Sequence, residues 1–380
     1  MDIQSIQDIR AQIDAIDDEL VRLFVERMRC STQIAGAKQA ADRPTYDPDR
    51  EKLILQRLAD RAGDTYAPYI KALYGHIFDL SRRRQSTLRW RESPLTEQIL
   101  RTTALPLPDR AVIACQGTAG AYGQQATQRL FANPDIRFFD SFEEVFSAVE
   151  NDLCQYGVLP IENSTAGAVN QVYDLMQQHH FYIAAAQRLR INHKLMRRRG
   201  TAGPITEIVS HEQALRQCSA FLNAHPDVRV TPMANTAVAA EFTASSPRDD
   251  LAVIASEACA RLYGLDIIRD DISDSANNYT RFICISRSLR ITPGAEKISL
   301  MVDLPHEPGA LNTVLSRITE AGVNLTKLES RPIPERVFEF RFFFDMEARA
   351  DDPDIRRLLS EIEGLCTRFA FLGCYEEQTA

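Results

Sequence analysis

The chain has 380 residues, 44% of them hydrophobic and 25% charged, the composition of an ordinary globular protein with room for two to three domains. Lys+Arg of 44 against Asp+Glu of 52 leaves a net charge of −8, which argues against a nucleic-acid or membrane-surface binder. No apolar run approaches the roughly 18 residues of a membrane span. The start, MDIQSIQDIR, lacks the basic and apolar blocks of a signal peptide. Eight scattered cysteines without a C-x-x-C suggest neither a disulfide framework nor a zinc site, so a cytoplasmic, reduced protein without metal or cofactor is expected.

The first block, residues 1–91, carries helical signals throughout. Ile6, Ile9, Ile13, Ile16, Leu20 and Leu23 step by three and four, a sustained a/d stripe. From Asp8 to Gln39 this predicts a rod of about 48 Å. Pro44 ends it, Asp47-Pro48 opens a second helix, and a third is expected from near Pro68 to Arg91. Two shorter helices cannot cover the rod, so an oligomer is expected. Arg27 interrupts the apolar stripe, Lys38 falls close to the same face, and Arg10 flanks its other end. Buried cations call for anionic partners, and an anionic ligand inside the bundle accounts for three on one face. Arg27 and Lys38 lie about 16 Å apart along the axis, within reach of opposite ends of one small molecule. Arg10, about 25 Å from Arg27, reaches that molecule only from a second, antiparallel copy.

Asp47, Arg50 and Glu51 cluster at the second helix start, and Ser81 and Gln85 share a face of the third at i, i+4. With these residues in place the block resembles the all-helical chorismate mutase domain, an intertwined helical dimer. The resemblance places Arg10, Arg27, Lys38, Asp47, Arg50, Glu51, Ser81 and Gln85 at substrate-contacting positions, with no departure among them. It implies Arg10 and Arg27 as carboxylate clamps, Lys38 and Gln85 as catalytic donors to the breaking ether oxygen and the adjoining carboxylate, and Glu51 and Asp47 on the substrate hydroxyl. The rearrangement needs no nucleophile or base, only orientation and electrostatic stabilisation.

Residues 92–109, with prolines and no clear periodicity, read as a linker. Residues 110–288 alternate short β-branched runs with capped helix starts, the α/β pattern. Strands are expected at Ala111–Cys115, Tyr156–Ile161, Ile205–Val209, Val228–Thr231 and Leu251–Ala255, with a helix over Val169–Met176. Helix N-termini opening at strand ends favour small anions. Pro160-Ile161-Glu162-Asn163-Ser164, Ser210-His211 leading to Gln217-Cys218, and Asn278-Tyr279-Thr280-Arg281-Phe282 together resemble prephenate dehydratase. The implied fold is two α/β lobes around a cleft, like a periplasmic binding protein. The resemblance implies Thr280 at the departing hydroxyl, with Asn163, Ser164, Thr165, Ser210, Gln217 and Arg281 as substrate binders. For Arg281 a structural ion pair stands as an equal reading, and Glu162 and His211 read as proton sources or structural residues. Gly123 stands where many members carry serine, Ala186 where glutamate is frequent, and Glu212 where proline is frequent, which leaves arogenate open as the substrate. His179-His180 reads as an exposed helix-end pair, and Arg197-Arg198-Arg199 as a solvated loop.

Residues 296–376 read strand–helix–strand–strand–helix–strand, the ferredoxin-like order. Pro308-Gly309-Ala310-Leu311 and Glu329-Ser330-Arg331-Pro332 resemble the α+β ACT domain of dehydratases. That implies a phenylalanine site at Gly309, Ala310, Leu311, Glu329, Ser330, Arg331 and Pro332, with the second string completing the pocket across a dimer interface. For Ser330 and Pro332 a structural turn is the competing reading. In order, the three blocks resemble the bifunctional P-protein family. The expected function is conversion of chorismate through prephenate to phenylpyruvate, inhibited by phenylalanine, in a homodimer or higher homo-oligomer. The alternatives are a mutase fused to arogenate dehydratase, or a non-catalytic two-lobed ligand sensor.

Overall fold

A computed structural model describes residues 3–40, 47–89, 92–270, 272–334 and 336–379. The chain divides into two compact units, residues 1–93 and 94–380.

The first unit is helical: α1 (Ile3–Ala40), α2 (Pro48–Ala62) and α3 (Ala67–Arg89). Asp47 caps α2 by accepting the Arg50 N–H at 3.0 Å, and Gly63, at φ 73°, ends it. Helix α3 packs against both α2 and the second half of α1. Among the described residues the first half of α1 has no such cover. Its stripe from Ile6 to Leu23 is exposed, by 41% at Ile6 and 59% at Ile16.

The second unit begins with α4 (Pro94–Arg101), where the sequence reading placed a linker. Ile99 of this helix is buried in the regulatory core described below. A helix of eight residues, about two turns, leaves too few apolar positions to register as periodic.

The elements that follow are β1 (Arg110–Gln116), α5 (Tyr122–Leu130), β2 (Asn133–Phe139), α6 (Phe142–Glu150), β3 (Tyr156–Asn163), β4 (Gly167–Ala168), α7 (Asn170–Gln178) and β5 (Tyr182–Arg190). Then come β6 (Lys194–Arg198), β7 (Glu207–His211), α8 (Glu212–Arg216), α9 (Ser219–Asn223), β8 (Arg229–Met233), α10 (Thr236–Ser245), β9 (Leu251–Ala255), α11 (Glu257–Tyr263), β10 (Leu265–Arg269) and β11 (Tyr279–Ser286). The last are β12 (Lys297–Asp303), α12 (Ala310–Glu320), β13 (Asn324–Pro332), β14 (Phe340–Glu347), α13 (Pro353–Leu365), β15 (Arg368–Tyr375) and β16 (Glu377–Thr379).

One mixed sheet has the order β16-β5-β11-β3-β1-β2, with β4 on β3; a second has the order β10-β6-β9-β7-β8. These are the two lobes expected from the sequence. The chain crosses between them twice, through Ile191–His193 and between β10 and β11. The third sheet, β13-β14-β12-β15, confirms the ferredoxin-like order. Its one face carries α12 and α13 over Leu300, Val314, Phe344 and Leu358. Its other face packs Met301, Phe343 and Tyr375 onto Ile183 and Ile285 of the first lobe. Burial on both faces explains why β12 is buried from end to end. Gly373 makes the contact possible, because a Cβ there would lie 2.4 Å from the Ile183 carbonyl oxygen. The last strand, β16, then leaves the regulatory sheet and adds to the first lobe, pairing parallel with β5.

Candidate active sites

In the helical unit Arg27, Ser81 and Gln85 come together where α1 packs on α3. Arg27 Nη1 donates to Ser81 Oγ at 2.7 Å, and its guanidinium lies 5.4 Å from the Phe78 ring centroid. Partial burial pulls the Arg27 pKa down, against the opposing pull of Tyr74 and Glu51. The side chain remains a cation, held by a hydroxyl and aromatic faces in place of a carboxylate. Gln85 donates to Ser31 Oγ at 2.8 Å, while its own Oε1 is buried without a partner among the described residues. Exchanging the amide oxygen and nitrogen would satisfy Ser31 equally and aim an NH2 donor inward. Glu51 is held by Arg82 Nη1, with a 2.6 Å bond to Oε1. Ser31 and Arg82 escaped the sequence reading because each has the spacing of a solvated helix residue.

The other mutase positions stand apart. Arg10 and Arg50 are exposed, Arg10 on the uncovered half of α1. Asp47 is occupied as the α2 cap. The side chain of Lys38 lies outside the described residues.

At the junction of the two lobes a second cluster forms, and its hydrogen bonds fix one another. Asn163, at the end of β3, takes the backbone N–H groups of Thr165 and Ala166 on its Oδ1, at 3.0 and 2.9 Å. Its Nδ2 therefore points the other way, to Asn278 Oδ1 at 2.8 Å and Thr280 Oγ1 at 2.9 Å. Thr280 accepts this bond, which leaves its own hydroxyl proton free to donate. Gln217, from the second lobe, reaches across: its Nε2 lies 3.1 Å from Thr165 Oγ1 and 3.4 Å from Asn163 Oδ1. A cavity opens beside them, lined by Thr165, Gln213, Arg216, Gln217, Asp274 and Asn278. Arg216, a cation at its wall, was not singled out from the sequence, and Asn278 was read only as the start of the string entering the last strand, with no role at the site.

Three proposed dehydratase binders do not join this cluster. Ser210 is fully buried and donates to the Ile254 carbonyl at 2.5 Å, inside the second sheet. Ser164 Oγ donates to Asn277 O at 2.7 Å and accepts from Tyr279 N at 2.9 Å, tying down the crossover. Arg281 faces the opposite side of β11 from Thr280, as neighbours in a strand must. There it meets Asp345 of β14 at 2.5 Å, the Tyr375 hydroxyl at 2.6 Å and Glu377 of β16 at 3.0 Å. Of the two readings of Arg281, the structural ion pair is the one realised. Glu162 likewise turns to the regulatory sheet, 2.9 Å from Lys327, and His211 caps α8. Gly123 sits so close to Cys115 that a Cβ would fall 2.8 Å from its sulfur, so the serine common at this position would require the Cys115 side chain to move.

In the regulatory block Gly309, at φ 90°, opens α12, followed by Ala310 and Leu311. On β13, Arg331 is bound by both carboxylate oxygens of Asp174 on α7, each at 2.9 Å. Ser330 and Pro332 alternate with Arg331 and Glu329 and face the other side of the strand.

Three families match in chain order: chorismate mutase type II over residues 9–86, prephenate dehydratase over 113–289 and the ACT domain over 298–364. The bifunctional chorismate mutase/prephenate dehydratase of Escherichia coli (strain K12) is 31% identical over 381 aligned residues, covering 97% of this chain and 96% of the relative. The chain belongs to the bifunctional chorismate mutase/prephenate dehydratase family. Among solved structures, the prephenate dehydratase of Arthrobacter aurescens in complex with L-Phe is 26% identical with a TM-score of 0.64, over 70% of this chain and 90% of that one. A structure described as a novel type of quorum quenching acylase, GqqA, is similar at 27% identity and a TM-score of 0.64, over 70% of this chain and 98% of that one. Among the described residues no helix is long and apolar enough to cross a membrane. The chorismate mutase match spans the first cluster and the prephenate dehydratase match spans the second.

Proposed function

We infer that this chain rearranges chorismate to prephenate in its helical unit and converts prephenate to phenylpyruvate, carbon dioxide and water at the lobe junction, under inhibition by phenylalanine. The observation that carries the reading is the pair of clusters, each matched to one chemistry. A half-buried Arg27 without a carboxylate partner among the described residues suits one carboxylate of an extended dianion. With the donor capacity of Gln85 it suits a reaction that needs only orientation and charge stabilisation. Lys38, Arg50, Glu51 and Asp47 complete the proposed set, with Arg10 supplied by a second copy. The uncovered first half of α1 supports that intertwined homodimer, since burying each such side chain is worth about 1.5–3 kcal/mol.

At the lobe junction Thr280 donates its free hydroxyl proton to the departing ring hydroxyl, by hydrogen bonding or relay, because a threonine is a poor Brønsted acid. Asn163, Thr165 and Gln217 orient it, and Arg216 faces a substrate carboxylate. An acyl-transfer reaction is disfavoured here: the neighbour of Thr280 Oγ1 is an amide donor, and an activated nucleophile needs a base in that place. Phenylalanine binds at Gly309–Leu311 and the 329–332 string. We place the domain limits at 1–91, 110–288 and 296–376 and the enzyme in the cytoplasm, in keeping with eight free cysteines. The test is to supply chorismate, prephenate and arogenate separately to purified protein and identify each product. Phenylpyruvate from the first two is expected; phenylalanine from arogenate, with prephenate left unchanged, would overturn the substrate assignment.

A further inference from the structure

We propose that His193 is a positioning residue for the dehydration, holding the Gln217 amide so that its NH2 group crosses the cleft to Asn163 and Thr165. The inference rests on the lobe junction being the dehydratase site. His193 lies on the first crossover between the lobes and is 2% exposed. Its ring stands edge-on to Tyr122, with centroids 6.0 Å apart. Tyr122 in turn donates to the neighbouring Asn192 carbonyl at 2.9 Å. The ring is thus clamped, and its Nε2 lies 3.0 Å from Gln217 Oε1.

The proton positions follow from the network. Two backbone N–H groups donate to Asn163 Oδ1, so that atom is an oxygen and can only accept. The end of Gln217 facing it must then be the NH2. The Thr165 hydroxyl also donates to Asn163 Oδ1, at 2.7 Å, which leaves Thr165 Oγ1 free to accept from Gln217. Gln217 Oε1 therefore faces the imidazole, and Nε2 must carry the proton. Nδ1 is left as a bare lone pair, buried without a partner among the described residues. That vacancy is tolerable for an acceptor; an orphaned N–H would cost more. Burial keeps the ring neutral by lowering its pKa, in agreement with this tautomer.

Gln217 needs such a guide. Its backbone is fixed, since its carbonyl accepts the Asp274 N–H at 2.7 Å, but an amide side chain can flip. Flipped, it would set Oε1 against Asn163 Oδ1 and disturb the residue that orients Thr280.

The test uses the full chain with His193→Leu, His193→Gln, Gln217→Leu and the His193→Leu/Gln217→Leu pair, scored for prephenate turnover, with mutase rate and thermal melting as checks of folding. His193→Leu should lower kcat about 10- to 100-fold with KM changed much less, the penalty of a small misplacement. His193→Gln, which restores an NH2 donor, should recover most of it. In the Gln217→Leu background, His193→Leu should have no further effect. Nitrogen-15 NMR of the unsubstituted protein at neutral pH should show a neutral Nε2–H ring, and this reading survives even if a variant fails to fold. Full activity in His193→Leu beside a crippled Gln217→Leu, additive losses, or an Nδ1–H or doubly protonated ring would each overturn the inference. Full activity in both Gln217→Leu and Thr280→Ala would overturn the cleft reading and the inference with it.

Discussion

Thr280 owes its chemistry to which atom of Asn163 faces it. Because Asn163 donates, the threonine proton is available to a leaving group; were the amide reversed, that proton would be spent on the protein. Thr280→Ala should therefore lower dehydratase kcat by about 10²-fold or more, while Thr280→Ser keeps most of the rate and mutase turnover is unchanged in both. In the helical unit Arg27→Ala should abolish measurable chorismate consumption while prephenate is still dehydrated, because the cation that would meet a carboxylate is gone. At this scale Asn163, Thr165, Gln217 and Thr280 were legible as members of short strings. Arg281 was legible as a residue but not as a direction: strand alternation says it opposes Thr280, and only the packed sheets say which side is the cleft. His193 was invisible, since a lone buried histidine on a connecting segment carries no spacing to read.

Among the elements, α1 states its need most openly. The Ile6–Leu23 stripe was readable from its period, and the structure leaves it exposed, which is the ground for the proposed pairing with another copy. Ile13→Asp with Leu20→Asp should dissociate the assembly in analytical ultracentrifugation and take mutase activity with it. The crossover carrying His193 makes a different prediction. Burial holds that ring below its ordinary 6.5, so the folded chain keeps it neutral while the unfolded chain takes up a proton as pH falls past 6.5. Stability is then full above that value and declines below it, and His211, lowered by burial too, adds in the same sense. Melting temperature should fall between pH 6.5 and about 5, above the carboxylate range, and less steeply in His193→Gln. Helix α4 and strand β16 escaped the sequence for one reason: each is short, and its partners are far away in the chain.

At the scale of the whole second unit, the regulatory sheet grips the first lobe at the residues beside the proposed reactive centre. Lys327 holds Glu162, next to Asn163; Asp345 holds Arg281, next to Thr280; Arg331 holds Asp174. A ligand that shifts β13 has short routes to the hydroxyl donor, and coupling of this kind needs differential contacts in two states. Lys327→Met should leave dehydratase turnover largely intact while raising the phenylalanine concentration for half-inhibition about tenfold. The order of the three blocks was legible because each keeps its own period and strings. Their ionic coupling was not, since it joins residues more than 60 positions apart such as Arg281 and Asp345. The most direct measurement gives chorismate to the Thr280→Ala chain and follows its products over time. Prephenate should accumulate in near-stoichiometric yield with no phenylpyruvate beyond its slow spontaneous formation. Phenylpyruvate appearing at the unsubstituted rate would contradict the assignment of the lobe junction as the second active site.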